Sequence, residues 1–183
     1  MEVTDAQIVE QCLEGDTRAF AVLVDRYKKP LYNVALKMLK DPDDAEDATQ
    51  CVFIRAYEKL GSYRPEFKFF SWIYRMAVNE SLNRVRAERN HVPLDESARA
   101  DADSDASAAI QVAELEDRVS EALMYLKPED RALILLRHFE DLPYRDLGYI
   151  FEIPLQTVKS RLFTARQRLR DICVVKGISI SGG

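Results

Sequence analysis

Residues 143–170 read PYRDLGYIFEIPLQTVKSRLFTARQRLR, and this stretch decides the fold. It begins with a short helical pattern after Pro143, which is broken at Glu152-Ile153-Pro154. A longer helix follows, whose apolar residues recur at steps of three and four: Val158, Leu162, Ala165, Leu169 and Ile172. A short helix, a tight turn and a longer basic helix predict a helix-turn-helix, whose second helix fits the major groove of duplex DNA.

The second helix of this unit carries its cations opposite the apolar stripe. Five basic residues and no acidic residue lie between Lys159 and Arg170. Phe163 shares that basic face, where an aromatic ring is suited to contact a thymine methyl group or a sugar edge. A solvated face is the alternative interpretation of any basic amphipathic helix. The preceding short helix and turn favour the DNA-binding interpretation here.

Charge is distributed unevenly along the 183 residues, whose formal net charge is −5. Residues 1–90 carry 14 basic and 15 acidic groups, residues 91–126 carry 2 and 9, and residues 127–183 carry 10 and 7. Salt limits the reach of a charge to about 10 Å, so local charge decides whether phosphate is attracted. The acidic middle therefore does not exclude a basic, DNA-binding helix near the C-terminus.

The acidic middle also separates two helical regions. From Glu88 to Ala109 the chain is rich in Asp, Ser and Ala and has almost no large apolar side chain. Such a segment buries too little surface to offset the entropy lost on ordering it. Six glycines and seven prolines are few for this length, which favours long helices. We therefore predict an all-α fold with two small helical domains, 1–90 and 114–175, joined by a flexible acidic linker, 91–113, and followed by a tail, 176–183.

The N-terminal domain shows the pattern of several successive helices. Residues 4–7 fit a capping box for the first of them, and an apolar stripe over 20–38 predicts a long second helix. Pro30 lies inside that stripe and is expected to kink or divide the helix. Asp41-Pro42 is typical of a helix start, with the carboxylate as cap and the proline at the first position. Apolar spacing over 69–89 predicts another long helix.

Two features of this domain go beyond a plain helical bundle. The helix after Asp41 has a polar face, formed by Asp44, Asp47, Gln50, Arg55 and Glu58, which taken alone is typical of a solvated surface. Residues 63–75, YRPEFKFFSWIYR, hold six aromatic side chains and three cations. Aromatic faces beside cations suit the stacking of unpaired bases, while core packing explains the same rings equally well. The residues leave both interpretations open.

Several functional classes lack the residues that they need. No apolar run approaches the roughly 20 residues that span a bilayer, and the N-terminus has no signal-peptide pattern, so we expect a cytoplasmic protein. Cys12, Cys51 and Cys173 are scattered and the two histidines stand alone. We therefore expect reduced thiols, no metal site and no cofactor. The absence of a Gly-rich phosphate loop and of a nucleophile–base pair argues against an all-helical enzyme.

Two sets of motifs resemble a known family. DAEDATQ at 44–50, VF at 52–53, FSWI at 70–73 and AVN at 77–79 look like region 2 of the bacterial extracytoplasmic-function (ECF) sigma factors of the sigma-70 family. LKPEDR at 126–131, YRDLG at 144–148 and TVKSRL at 157–162 look like region 4. In the turn, Glu152 stands where the family often has glycine. An ordinary helix-turn-helix regulator explains the C-terminal helix but leaves the N-terminal motifs as coincidence.

The resemblance implies a sigma factor that directs core RNA polymerase to specific promoters under the control of an anti-sigma factor. Region 2 would bind the β′ clamp helices through Asp44, Asp47, Gln50 and Phe53. It would also melt the minus-ten element and capture its bases through Tyr63, Arg64, Lys68, Phe70, Trp72, Arg75 and Asn79. Region 4 would contact the β flap and read the minus-thirty-five element through Gln156, Thr157, Lys159, Ser160, Arg161, Phe163 and Arg166. No catalytic site is implied.

Overall fold

The computed structural model describes residues 3–91 and 108–178, and no strand occurs in this part of the chain. Its helices are α1 (Asp5–Leu13), α2 (Phe20–Leu39), α3 (Pro42–Glu58), α4 (Phe69–His91), α5 (Ala108–Met124), α6 (Pro128–His138), α7 (Tyr144–Phe151) and α8 (Leu155–Val175). Short 3-10 turns, Thr17–Ala19 and Leu60–Ser62, precede α2 and follow α3. The predicted all-α fold is confirmed, while most of the predicted linker lies outside the described residues. Among the described helices, none combines the length and the apolar character that a bilayer crossing requires.

Local side-chain signals set where the first helices begin. The hydroxyl of Thr4 accepts from the backbone N–H of Gln7 at 3.4 Å, and Gln7 Oε1 accepts from the backbone N–H of Thr4 at 2.9 Å. This is the predicted capping box. Asp41 Oδ1 accepts from the backbone N–H of Asp44 at 2.9 Å, with Pro42 at the first position of α3. Both helices thus begin where the sequence predicts.

α2 is a single helix of 20 residues that passes through Pro30. The sequence predicts a kink or a division at this proline, and no division occurs. Leu23 precedes Pro30 by two turns, Leu31 and Val34 follow it, and all three side chains are buried. Because both halves of α2 pack into the same core, tertiary packing outweighs the hydrogen bond that proline removes.

The first bundle contains α1 to α4. Its core forms where α2, α3 and α4 meet, and the buried side chains there include Leu31 and Met38 of α2, Val52 of α3, and Phe69 and Ile73 of α4. Fully burying one such side chain contributes about 1.5–3 kcal/mol to the free energy of unfolding. This packing fixes which face of α3 and of α4 is turned outward.

The second bundle contains α5 to α8, and α7 and α8 form the predicted helix-turn-helix. Leu147 of α7 and Leu162 of α8 are buried at their contact. In the turn, the backbone N–H of Ile153 donates to the carbonyl of Gly148 at 3.0 Å. A Cβ atom on Gly148 would lie 3.1 Å from the carbonyl oxygen of Ile153. Glycine at this position therefore allows the turn to close tightly against α7.

The two bundles lie directly against each other. Helix α4 contacts α6 and α7, α2 contacts α6, and the buried residues form one apolar cluster that extends through both bundles. The sequence predicts two domains but no contact between them, because hydrophobic periodicity reports only on local structure. This contact decides which of the predicted site residues are accessible.

Candidate nucleic-acid interface

Helix α8 presents an open basic face. The exposed residues among those predicted for the minus-thirty-five element are Gln156, Lys159, Ser160, Phe163 and Arg166. Their separation by three or four positions places most of them on one side of the helix. Thr157 is half-buried, and its carbonyl accepts from the Ser160 hydroxyl at 3.1 Å. The face offers cations for phosphates and an apolar ring for a base edge, as recognition helices that bind in the major groove do.

Arg161 is oriented away from this use. Its Nη2 lies 2.8 Å from Asp130 Oδ1, and Arg168 Nη1 lies 3.3 Å from Asp130 Oδ2. Asp130 is 8% exposed, and a carboxylate buried to this extent needs charged partners. The three side chains join α8 to α6 beside a cavity of about 300 Å³. Arg161 thus holds the helix in place, and Lys159 and Arg166 supply the charge of the exposed face.

Arg166 is also supported from α6. Its Nε donates to His138 Nε2 at 3.1 Å. Burial lowers the pKa of His138, and the neighbouring charges of Arg166 and Arg137 lower it further. The imidazole is therefore neutral at pH 7 and accepts the hydrogen bond. Arg166 keeps its charge while its guanidinium group is held by His138 of α6.

The aromatic cluster of residues 63–75 divides into a core part and a surface part. Phe69 is 1% exposed and Trp72 is 8% exposed, and their ring centroids lie 5.5 Å apart. Core packing therefore accounts for these two rings. Lys68 is exposed, and its Nζ lies 5.3 Å from the ring centroid of the half-buried Phe70. A cation beside an accessible ring is the arrangement that single-strand binding proteins use.

The surface part of the cluster lies on the loop before α4 and along α4. Tyr63 closes the loop, because its hydroxyl donates to the carbonyl of Phe67 at 2.7 Å. Arg64 and Asn79 are exposed, and Arg75 is half-buried. Arg75 and Asn79 are one helical turn apart and share a face of α4. The predicted minus-ten residues other than Trp72 therefore retain at least partial access to solvent.

The predicted polymerase-binding residues lie on α3 beside a groove. Asp44, Asp47 and Gln50 are exposed, while Phe53 is buried and lines the groove between α2 and α3. The groove encloses about 560 Å³. Arg84 Nη1 of α4 lies 3.2 Å from Asp44 Oδ1, which links the start of α3 to α4. The groove is mainly apolar, and its charged lining residues are Lys28 and Glu46, so it suits the apolar face of a helical partner.

Three further residues, which sequence analysis does not select, lie where the bundles meet. The ring of Phe67 stacks on that of Tyr149 in α7 with centroids 4.2 Å apart. Arg75 Nη2 lies 2.6 Å from Glu152 Oε1 at the end of α7. The one signal for this contact in the sequence is Glu152 itself, which stands where the family often has glycine.

Cysteine and histidine form no site in the ranges 3–91 and 108–178. All three cysteines are free thiols there, and no three side chains of His, Cys, Asp or Glu are grouped so that they could hold a metal ion. Burial raises the pKa of the Cys12 thiol, as does the nearby Asp16, and burial raises that of Cys173. A raised pKa leaves less thiolate, which makes these thiols poor nucleophiles at pH 7.

Comparisons with known proteins identify both helical bundles. Residues 23–91 match the family model of Sigma-70 region 2, and residues 116–169 match that of Sigma-70, region 4. The ECF RNA polymerase sigma factor SigW of Bacillus subtilis is 31% identical over 182 residues, which cover 93% of this chain and 97% of SigW. CnrH, solved in complex with the cytosolic domain of CnrY, shares the fold with a TM-score of 0.72 at 23% identity, covering 96% of this chain and 99% of its own. The sigma factor RpoE of Bartonella quintana, solved with the anti-sigma factor NepR, has a TM-score of 0.64 at 22% identity and covers 85% and 97%.

Proposed function

Because the chain belongs to the ECF RNA polymerase sigma factors of the sigma-70 family, we propose that it carries core RNA polymerase to a specific set of promoters and opens their minus-ten elements. One observation carries this proposal. The same chain pairs an open basic helix in the helix-turn-helix of the second bundle with a first bundle whose α4 region sets cations beside aromatic rings. The first suits duplex DNA and the second suits unpaired bases.

The proposal divides the chain by role. Region 2, residues 1–90, binds polymerase and acts on the minus-ten element. Region 4, residues 114–175, reads the minus-thirty-five element. Residues 91–113 connect them, and residues 176–183 form a tail. The matches of residues 23–91 to region 2 and of residues 116–169 to region 4 support this division.

In region 4, the exposed face of α8 enters the major groove. Lys159 and Arg166 contact phosphates or base edges, and Phe163 contacts a thymine methyl group or a sugar. Gln156, Thr157 and Ser160 lie at the start of α8, the end of a recognition helix that contacts base edges. Arg161 contributes by fixing α8 to Asp130 of α6.

In region 2, the loop before α4 and the exposed side of α4 capture the unpaired strand. Phe70 and Tyr63 offer ring surface, Arg64, Lys68 and Arg75 attract the backbone, and Asn79 offers an amide to a base. Trp72 supports the loop from within the core. Stacking on a protein ring is worth about 1–3 kcal/mol per base, which is comparable to the cost of unstacking that base. Strand opening is therefore driven by binding energy, without a catalytic site, a metal or a nucleotide cofactor in this chain.

The partners follow from the remaining surfaces. The polar face of α3, with Asp44, Asp47, Gln50 and Phe53, docks on the β′ clamp helices of core polymerase, and region 4 contacts the β flap. Such docking acts in the cytoplasm, where the transcription machinery works. An anti-sigma factor is the expected regulator, and the RpoE structure named above holds such a partner. Because the free chain has a net charge of −5, tight promoter binding requires polymerase to position both domains together.

Transcription in vitro tests the proposal. Purified protein is added to core polymerase on a genomic fragment library, and new run-off transcripts with shared upstream sequences are expected. Lys159→Ala should reduce those transcripts about tenfold, the effect of losing one good base or phosphate contact, while recovery of polymerase in a pull-down stays unchanged. Asp171→Ala, at an exposed position near the end of α8, is the matched control and should leave both readouts unchanged. If no polymerase is recovered and no transcript is made, the proposal is wrong.

A further inference from the structure

The loop before α4 is covered by a residue from the other bundle. The ring of Tyr149 lies over that of Phe67 with a centroid distance of 4.2 Å and an angle of 22° between the ring planes. This near-parallel stack is the geometry in which a flat aromatic ring, whether protein or nucleobase, packs on another. Tyr149 thus occupies the space in which an unpaired base could stack on Phe67.

A carboxylate accompanies this ring. Glu152 Oε1 lies 2.6 Å from Nη2 of Arg75, whose guanidinium carbon is 5.6 Å from the centroid of the Tyr149 ring. Arginine binds carboxylate and phosphate oxygens through the same N–H groups. Tyr149 and Glu152 therefore present region 2 with an aromatic ring and an anion, which correspond to the base and the phosphate of a nucleotide.

The backbone holds Glu152 in a conformation that seldom carries a side chain. Its φ is 54° and its ψ is 40°, the left-handed region that glycine adopts readily and glutamate rarely. This conformation places Glu152 at the C-cap of α7, directly over α4. Glutamate at a position that favours glycine indicates that the carboxylate has a use there, and its contact with Arg75 supplies one.

Two further contacts along α4 hold the bundles together. The Tyr74 hydroxyl donates to Glu140 Oε2 at 2.5 Å, and Arg86 Nη2 lies 2.9 Å from Glu129 Oε1. Burial, followed by the hydrogen bond to Glu140, raises the pKa of Tyr74, so its hydroxyl stays protonated as a donor. Both contacts join α4 to region 4, so they hold the two bundles in the arrangement in which the stack forms.

We propose that Tyr149 and Glu152 of region 4 act as an internal nucleotide mimic that, in the free protein, covers Arg75 of the proposed minus-ten surface and the neighbouring Phe67. We call Phe67, Arg75, Tyr149 and Glu152 the latch. This inference rests on the proposed function, because it assigns regulation to the minus-ten surface proposed above. When polymerase and promoter draw the two regions apart, the latch opens and the unpaired strand takes the place of Tyr149 and Glu152.

The strength of the latch suits a reversible device. Arg75 and Glu152 have side chains that are 33% and 66% exposed, so solvent screens their attraction. Removing this charge pair should raise the affinity of the full chain for single strands by about twofold. Removing the stack should raise it by about fivefold, since a ring pair is stronger than an exposed ion pair.

The experiment uses the full-length protein and a fluorescein-labelled, mixed-sequence single strand of roughly 12 nucleotides, the span of a single-strand site. Fluorescence anisotropy measures its affinity, and small-angle X-ray scattering measures the radius of gyration of the protein alone. Glu152→Gln and Tyr149→Ala should both tighten strand binding and increase the radius of gyration. Tyr149→Phe keeps the stack and should behave as the unchanged protein.

Asp171→Asn is the control for charge, because it removes one negative charge from an exposed position of α8. If Glu152→Gln and Asp171→Asn tighten binding equally, the loss of repulsion between a negative charge and the strand explains the result, and the latch proposal is wrong. A radius of gyration that does not respond to Tyr149→Ala also overturns it. Transcription by the unchanged protein with core polymerase distinguishes failure of the latch from failure of the proposed function. If the holoenzyme is active but the variants do not differ from the unchanged protein, only the latch is rejected. If the holoenzyme is inactive, the proposed function is rejected.

Discussion

The proposed recognition face of α8 and the proposed minus-ten surface of the α4 region combine the same kinds of side chain but lie in different surroundings. Phe163 of α8 is 64% exposed, whereas Phe67 is half-buried beneath Tyr149. Duplex DNA presents its base edges without being opened, so the α8 face can be ready at all times. A surface that stacks unpaired bases is apolar, and covering it limits non-specific association of the free protein.

The largest effect is expected for Trp72, which lies in the buried part of the aromatic cluster of residues 63–75. Trp72→Ala removes a buried ring that packs on Phe69 and should lower the free energy of unfolding by about 3–5 kcal/mol. Urea denaturation of the full chain measures this loss. A loss below about 0.5 kcal/mol, the usual range for surface sites, would place Trp72 outside the core.

Phe163→Ala tests the opposite side of the comparison and has the next largest effect. The ring is exposed, so the free energy of unfolding should change by no more than about 0.5 kcal/mol. Transcription from the selected promoters should nevertheless decrease about tenfold, because an apolar base contact is lost. Urea denaturation and run-off transcription on the same sample separate the two effects. An equal loss of stability in both variants would remove the contrast between the two faces.

The difference between the two faces also shows which parts of the structure can be predicted from the sequence. The stripe of Val158, Leu162 and Ala165 predicts α8 and its buried side from spacing alone, because a helix repeats every 3.6 residues. The same spacing leaves the opposite face exposed, and this is observed for Lys159 and Phe163. Local periodicity therefore predicts the fold of region 4 and the accessibility of its recognition face.

The α4 side could not be predicted in the same way. Six aromatic residues within 63–75 cannot be divided into core and surface until the packing partners are known. Trp72 is buried by neighbours in its own bundle, whereas Phe67 is covered by Tyr149 from far along the chain. Contacts of that kind depend on how the bundles meet, and no short-range pattern encodes them. The ion pair of Arg161 with Asp130 could not be predicted for the same reason, since Asp130 lies on another helix.

Asp47→Lys tests whether a third surface, the polar face of α3, is independent of the other two. Asp47 is exposed, so the change should leave the free energy of unfolding nearly unchanged. Reversing the charge on this polar face of α3 should weaken binding to core polymerase by about fivefold, through repulsion of a basic partner. Fluorescence titration of labelled protein with core polymerase measures the affinity. Asp171→Lys carries the same charge change on α8 and is the control; equal weakening by both would assign the effect to net charge.

The smallest effect concerns pH, and it is expected on the α8 side only. Tyr74 on the α4 side has a raised pKa and stays protonated near neutrality. The pKa of His138 is lowered from 6.5, first by burial and then by Arg166 and Arg137, against an opposing influence of Asp141. The unfolded chain therefore binds this proton more readily than the folded protein does.

It follows that the contribution of neutral His138 to stability is complete above pH 6.5 and decreases as the pH falls below that value. A protonated imidazole also cannot accept the hydrogen bond from Arg166, so the support of the recognition face is lost together with stability. His138→Gln keeps an acceptor for Arg166 but does not titrate. We expect the melting temperature of the variant to decrease less than that of the unchanged protein between pH 7 and pH 5.5, measured by circular dichroism. Carboxylates distant from His138 have the same surroundings in both proteins, so parallel curves would show that His138 is not the group responsible.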